Sequence, residues 1–150
     1  MTAQFSPKSD EERTMLMAHL VKGGAQLLLD ERGEVAPYAL RLLGKNADPK
    51  TYFPKDQNPS ASFEELFERS VAWAREDEAG IEIVGVAVIS AMENEADAEA
   101  MAIGAQLETP SGSLFLFFPC VVEGQRTHVG EFEVLDELLV PEGIRWRLLH

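Results

Sequence analysis

Apolar residues recur at every second position through Met101, Ile103, Ala105 and Leu107, a two-residue period that lines one face of a β-strand. Thr109-Pro110-Ser111-Gly112 supplies a turn, with proline at its first corner and glycine at its exit. Leu114 to Val122 then returns as an almost unbroken apolar run, which suits a central strand buried on both faces. Glu123-Gly124-Gln125-Arg126 makes a second turn, and Val129 to Leu135 a third strand. Residues 100–135 therefore predict three consecutive antiparallel strands. Ahead of them, Ile81 to Ser90 (IEIVGVAVIS) is β-branched and apolar on both sides, a further interior strand joined to residue 100 through a link at 92–98.

The first half of the chain alternates helical and extended signals. Ser9 with Glu12 matches a capping box, which predicts a helix over 10–22 that stops at Gly23-Gly24. Gln26 to Leu29 is expected as a short strand, Asp30-Glu31-Arg32-Gly33 as a turn, and Val35 to Leu43 as the returning strand. Pro37 lacks a ladder donor, so that strand is expected at an edge or with a bulge. Residues 44–62 are polar and proline-broken, and they predict a long irregular loop in which Tyr52 and Phe53 need cover. Ser62 with Glu65 opens a second helix ending at Gly80, with Phe63, Leu66, Phe67, Ser70 and Ala74 on its apolar side.

The order helix, strand, strand, helix, then four strands gives an α+β class: two helices packed on one face of a largely antiparallel sheet of about six strands. The uncovered face is expected to carry Gln106, Glu108, Glu131 and Glu133, or to meet a second copy in a homodimer. A chain of 150 residues fits one domain. Residues 1–8 are expected to be disordered. Residues 136–150 include Leu138, Leu139, Val140, Ile144, Trp146, Leu148 and Leu149, too apolar to be left in water. They are expected to dock on the domain or on a partner subunit.

Charge narrows the partners. Twenty-six acidic residues against 13 basic ones give a formal net charge of −13, which repels nucleic-acid phosphates and anionic membranes and attracts a basic protein. Cys120 stands alone, so no internal disulfide forms, and the first residues lack a signal-peptide pattern; a cytoplasmic protein is expected.

Reactive constellations are sparse. Cys120 and His128 straddle the 123–126 turn, and a thiol within reach of an imidazole makes an activated nucleophile. Folding about Gly124 and Gln125, however, sets Cys120 opposite Val129 and turns His128 to the other face, so the pair is a weak catalytic candidate. Glu93, Glu95, Asp97 and Glu99 recur at every second residue; in one extended segment their carboxylates share a side and form a weak candidate for a hard cation. A solvated charge run is the simpler reading of them. His19 has no ligand-spaced partner. No cofactor motif occurs, and none is expected.

The succession GGAQLLLDERGEVAPYAL, a charged helix, IVGVAVIS, a LET strand, FLFFPCVVEG and GEFEVL, over residues 14–135, resembles a family of small uncharacterised bacterial single-domain α+β proteins. That resemblance implies a bacterial protein of this fold with no assigned activity and no catalytic residues. Three functional readings follow: a non-enzymatic binding or accessory module acting through a sheet face or edge, an acidic immunity-type inhibitor of a basic toxin or nuclease, and a small-ligand protein or enzyme with the 44–62 loop as its lid.

Overall fold

The structure is a computed structural model that describes residues 10–76, 80–94, 97–109 and 112–135. The expected docking of 136–150 and disorder of 1–8 lie outside these residues. The chain runs α1 (Asp10–Arg32), β1 (Tyr38–Leu43), β2 (Asp48–Tyr52), α2 (Pro54–Gln57), α3 (Phe63–Arg75), β3 (Ile83–Asn94), β4 (Asp97–Thr109), β5 (Gly112–Glu123), β6 (Arg126–Val129) and β7 (Glu133–Leu135). The strands form one antiparallel sheet in the order β2-β1-β3-β4-β5-β6, with β7 also on β5. The α+β class and the antiparallel sheet stand as expected, and the order of elements follows the expected one closely. Among the described residues, no helix is long and apolar enough to cross a membrane.

The helices take opposite faces of the sheet, not one. Because side chains alternate along a strand, each interior strand carries two apolar sets. Leu40, Leu42, Ala87, Ile89, Ile103, Ala105, Leu107, Leu116, Phe118 and Cys120 join Met17, Val21, Ala25 and Leu28 of α1 in one core. Ala39, Val86, Val88 and Phe115 join Ala74, Phe67, Val71 and Trp73 of α3 in a second. A sheet whose central strands are apolar on both sides needs a cover on both sides. Gln106 and Glu108, expected in water, lie on the α3 face at 2% and 3% exposure, while Glu131 and Glu133 are exposed as expected.

α1 does not stop at Gly23-Gly24. It continues through the expected strand at 26–29, and Gly33 ends it, with φ +71 and its N–H bonded to the Leu29 carbonyl at 2.9 Å. Met17, Ala18, Val21, Ala25, Leu28 and Leu29 form the helical stripe that recruits QLLL into the core. Gly24 serves close approach: a Cβ there would sit 3.2 Å from Tyr38 Oη, which donates a hydrogen bond to the Val21 carbonyl. Pro37 precedes the ladder and β1 is an interior strand, so neither the edge nor the bulge expected at Pro37 is needed.

The edge is β2, inside the segment expected to be irregular. Its side chains are mostly exposed, and Pro49 and Lys50 are residues that discourage further strand pairing. Ser62 caps α3 as expected, its Oγ accepting from Glu65 N at 3.2 Å, but α3 ends at Arg75, before Gly80. The third C-terminal strand is split. β6 pairs with residues 120–123 and β7 with 115–117, and between them Gly130 N donates to Pro119 O at 2.7 Å. A Cβ at Gly130 would fall 2.7 Å from that same oxygen, so only glycine lets the chain cross there.

Gly23 has open space around its Cα inside α1. Gly23→Ala is expected to raise stability by about 0.5–1 kcal/mol in chemical denaturation, and Gly24→Ala to gain less, because its methyl presses on Tyr38. A loss of stability in Gly23→Ala would mean that the helix ends at this pair.

Candidate functional site

Cys120 and His128 are not brought together. Cys120 pairs with Val129 and Val121 with His128, the register the turn predicts, so thiol and imidazole lie on opposite faces of the hairpin. The Cys120 thiol is buried in the α1 core, within 3.9 Å of the Phe118 carbonyl, and burial pushes its pKa up. Such a thiol is a poor nucleophile at neutral pH. His128 Nε2 lies 3.6 Å from Glu123 Oε2.

Nor do the four carboxylates of the 93–99 run share one extended segment. Glu93 belongs to β3 and Asp97 and Glu99 to β4, with Asn94 opposite Asp97, so the chain reverses inside the run. Glu95 lies outside the described residues. Among the described residues, no group of three or more His, Cys, Asp or Glu side chains is arranged to hold a metal ion.

The 44–62 segment holds β2 and α2 and packs on the sheet edge. Its adjacent aromatic residues straddle the sheet edge: Tyr52 stacks on Trp73 of α3 at 5.4 Å, and Phe53 stacks on Tyr38 at 5.1 Å on the α1 side. The cavity it borders with Leu28, Arg32 and Pro37 measures about 10 Å³, room for a single water.

α3 gives rise to two further features. On one flank Arg41, 3% exposed, lies over the Trp73 ring at 4.0 Å, donates to the Trp73 carbonyl and has Glu76 at 3.7 Å. Burying a guanidinium costs heavily unless an aromatic face, a carbonyl and a carboxylate surround it, as they do here. Arg41, Val86, Glu108 and Ser113 form one cross-strand row on this face, and Ser113 Oγ donates to Glu108 Oε1 at 2.9 Å.

On the other flank runs a groove of about 420 Å³ lined by Phe63, Glu64, Phe67, Glu68, Val71, Ala72 and Arg75. Phe63 and Phe67 stack at 6.3 Å, yet Phe63 remains 54% exposed. Leu66, Ser70 and Ala74 face the sheet. At about 100° per residue, Trp73 lies roughly 60° to one side of that line and Phe67 roughly 60° to the other. Since Trp73 reaches the β2 edge, the groove opens toward β4 and β5.

This site is legible in the sequence only in part. Phe63 and Phe67 read as members of one core stripe; the signal for an exposed flank is the width of that stripe, roughly 160° from Val71 round to Trp73, which exceeds what one sheet contact buries. Arg41 carries no signal at all, because a basic residue within YALRLL reads as an exposed position.

Cys120 and Tyr38 are held neutral by burial, both with raised pKa. The unfolded chain ionises them near their ordinary values of 9.0 and 10.0, so their contribution is complete below those values and stability falls as pH rises past each. Denaturation from pH 7 to 11 is expected to show this loss; Cys120→Ala removes its first part and Tyr38→Phe its second. Ellman's reagent is expected to titrate Cys120 only after unfolding, and rapid labelling of the native protein would contradict its burial.

No protein-family model, no curated protein and no solved structure matches this chain.

Proposed function

We propose that the protein is a non-enzymatic binding module that takes a basic, apolar-bearing segment of a protein partner along α3. The observation that carries this reading is the groove itself, an apolar floor of exposed Phe63 and half-buried Phe67 and Val71 beside the carboxylates of Glu64 and Glu68. An exposed contiguous apolar strip with a polar rim is the ordinary form of a protein contact surface. The β2 edge and the two sheet faces offer less. β2 is an edge guarded by Pro49 and Lys50, and the helices lie on both faces of the sheet, so addition of a strand or pairing of a bare face is disfavoured.

The net charge of −13 supports a basic partner in particular. Lys22, Arg32, Arg41, Lys55, Arg69 and Arg126 each face a carboxylate of this chain, so much of the positive charge is already matched internally. An acidic inhibitor of a basic toxin or nuclease is a special case of the same binding mode. Titrating the full chain into a fluorescein-labelled peptide of alternating arginine and leucine, read by anisotropy, tests it. Binding is expected to weaken as salt rises, and to weaken about tenfold or more in Phe63→Asp, since burying a phenylalanine is worth about 1.5–3 kcal/mol. Equal binding by Phe63→Asp, or binding indifferent to salt, would sink the proposal.

A further inference from the structure

The face on which α3 lies is wider than α3. The helix packs on β1 and β3, and β4 and β5 continue the face past it. Gln106 and Glu108 on β4 are nevertheless 2% and 3% exposed, and the Gln106 Oε1 accepts no hydrogen bond among the described residues. Neighbouring side chains on a sheet cover one another's stems, whereas burying the polar tips takes a layer above them. The described chain ends at Leu135, paired with Phe115 in the cross-strand row that contains Gln106. The chain thus arrives at the margin of the strip beside α3, and residues 136–150 follow.

Those residues suit the strip and its groove. In Ile144-Arg145-Trp146-Arg147-Leu148 apolar and basic residues alternate, the pattern of an extended segment with one apolar and one basic side. The apolar side matches Phe63, Phe67 and Val71, and long arginine side chains reach across to carboxylates at a rim, where Glu64 and Glu68 stand. Three strand spacings from β7 to β3 and one layer spacing up to α3 make a straight-line separation of roughly 18 Å. Residues 136–143, fully extended, span up to about 26 Å, so the segment reaches with slack for a turn at Pro141-Glu142-Gly143.

We infer that residues 144–149 of the same chain occupy the groove along α3 in the free protein, as an internal substitute for the partner. This rests on the reading of the groove as a binding surface. Tethering gives the segment a high effective concentration, so an outside basic segment binds only by displacing it.

A photoreactive benzophenone side chain placed at Phe63 in the full chain tests this directly. The expected product is an intramolecular bond to residues 144–149, found by peptide mass spectrometry in a species of monomer mass. Glu64→Arg with Glu68→Arg is expected to lower that yield about tenfold, and adding Arg145→Glu with Arg147→Glu to restore it. All four positions are changed in the full chain, and circular dichroism checks that each variant keeps the fold. A bond to 144–149 in a species of dimer mass means the groove holds a second copy's segment and overturns the inference, as does a bond confined to other residues.

The labelled arginine-leucine peptide separates this inference from the reading beneath it. Arg145→Glu with Arg147→Glu in the full chain is expected to bind that peptide about tenfold more tightly than the unmodified chain does. Crosslinking to 144–149 together with no peptide binding by that variant upholds the internal occupant and removes the binding module. Equal peptide binding by both chains with no crosslink to 144–149 does the reverse.

Discussion

The alternation of side chains along β3, β4 and β5 is the constraint from which the rest of the architecture follows. Val86 and Val88 point to one side and Ala87 and Ile89 to the other, and every one of them is buried. A slip of one residue in any pairing would exchange the two sets, which makes the register hard to change. Two apolar sets demand two covers, and the chain supplies them from segments far apart in sequence. α1 arrives before the sheet exists, whereas α3 sits between β2 and β3, so the sheet's order β2-β1-β3 is what brings α3 back over its own neighbours.

The two covers are held by different physics. α1 lies on its face by a continuous apolar stripe, and its polar side ties down the far hairpin. Gln26 donates to the Thr127 carbonyl and accepts from Val129 N, and Asp30 takes two hydrogen bonds from Arg126, which keep its carboxyl below the usual range. This side of the molecule is closed by hydrogen bonds that water would otherwise make, so their net worth is modest and their value is geometric. α3 is clamped on one flank by Trp73 between Tyr52 and Arg41. Its other flank keeps Phe63 in solvent, and that asymmetry creates the groove.

Sequence alone gives the second half of this fold nearly complete. The Cys120–Val129 register follows from the two-residue turn, and the Ser62 cap from its hydroxyl three residues before Glu65. The first half misleads because glycine has two roles. At Gly33 it takes φ +71 and stops a helix; at Gly23-Gly24 it sits inside one, where open space in one case and the Tyr38 hydroxyl in the other decide the matter, and neither is visible locally. β2 is hidden for a related reason: Asp48-Pro49-Lys50 has low strand propensity, and only the free edge of β1 makes it a strand. Helix placement is misread because a polar residue within a strand, such as Gln106 or Glu108, argues for solvent until the covering layer is known.

The separation of Cys120 from His128 and the exposed flank of α3 have the same physical origin. Antiparallel pairing fixes the direction of side chains along a strand, so residues that look close in sequence, such as Cys120 and His128, are separated by the pleat. Convergent catalytic groups need elements that meet at an angle, with loops free to aim them. Here the loop with most residues to spare, 44–62, spends its aromatic side chains clamping the sheet edge. The flank of α3 differs, because its side chains project as an apolar row beside the carboxylates of Glu64 and Glu68. In the reading proposed above, a row of that kind selects a segment by shape and charge along its length.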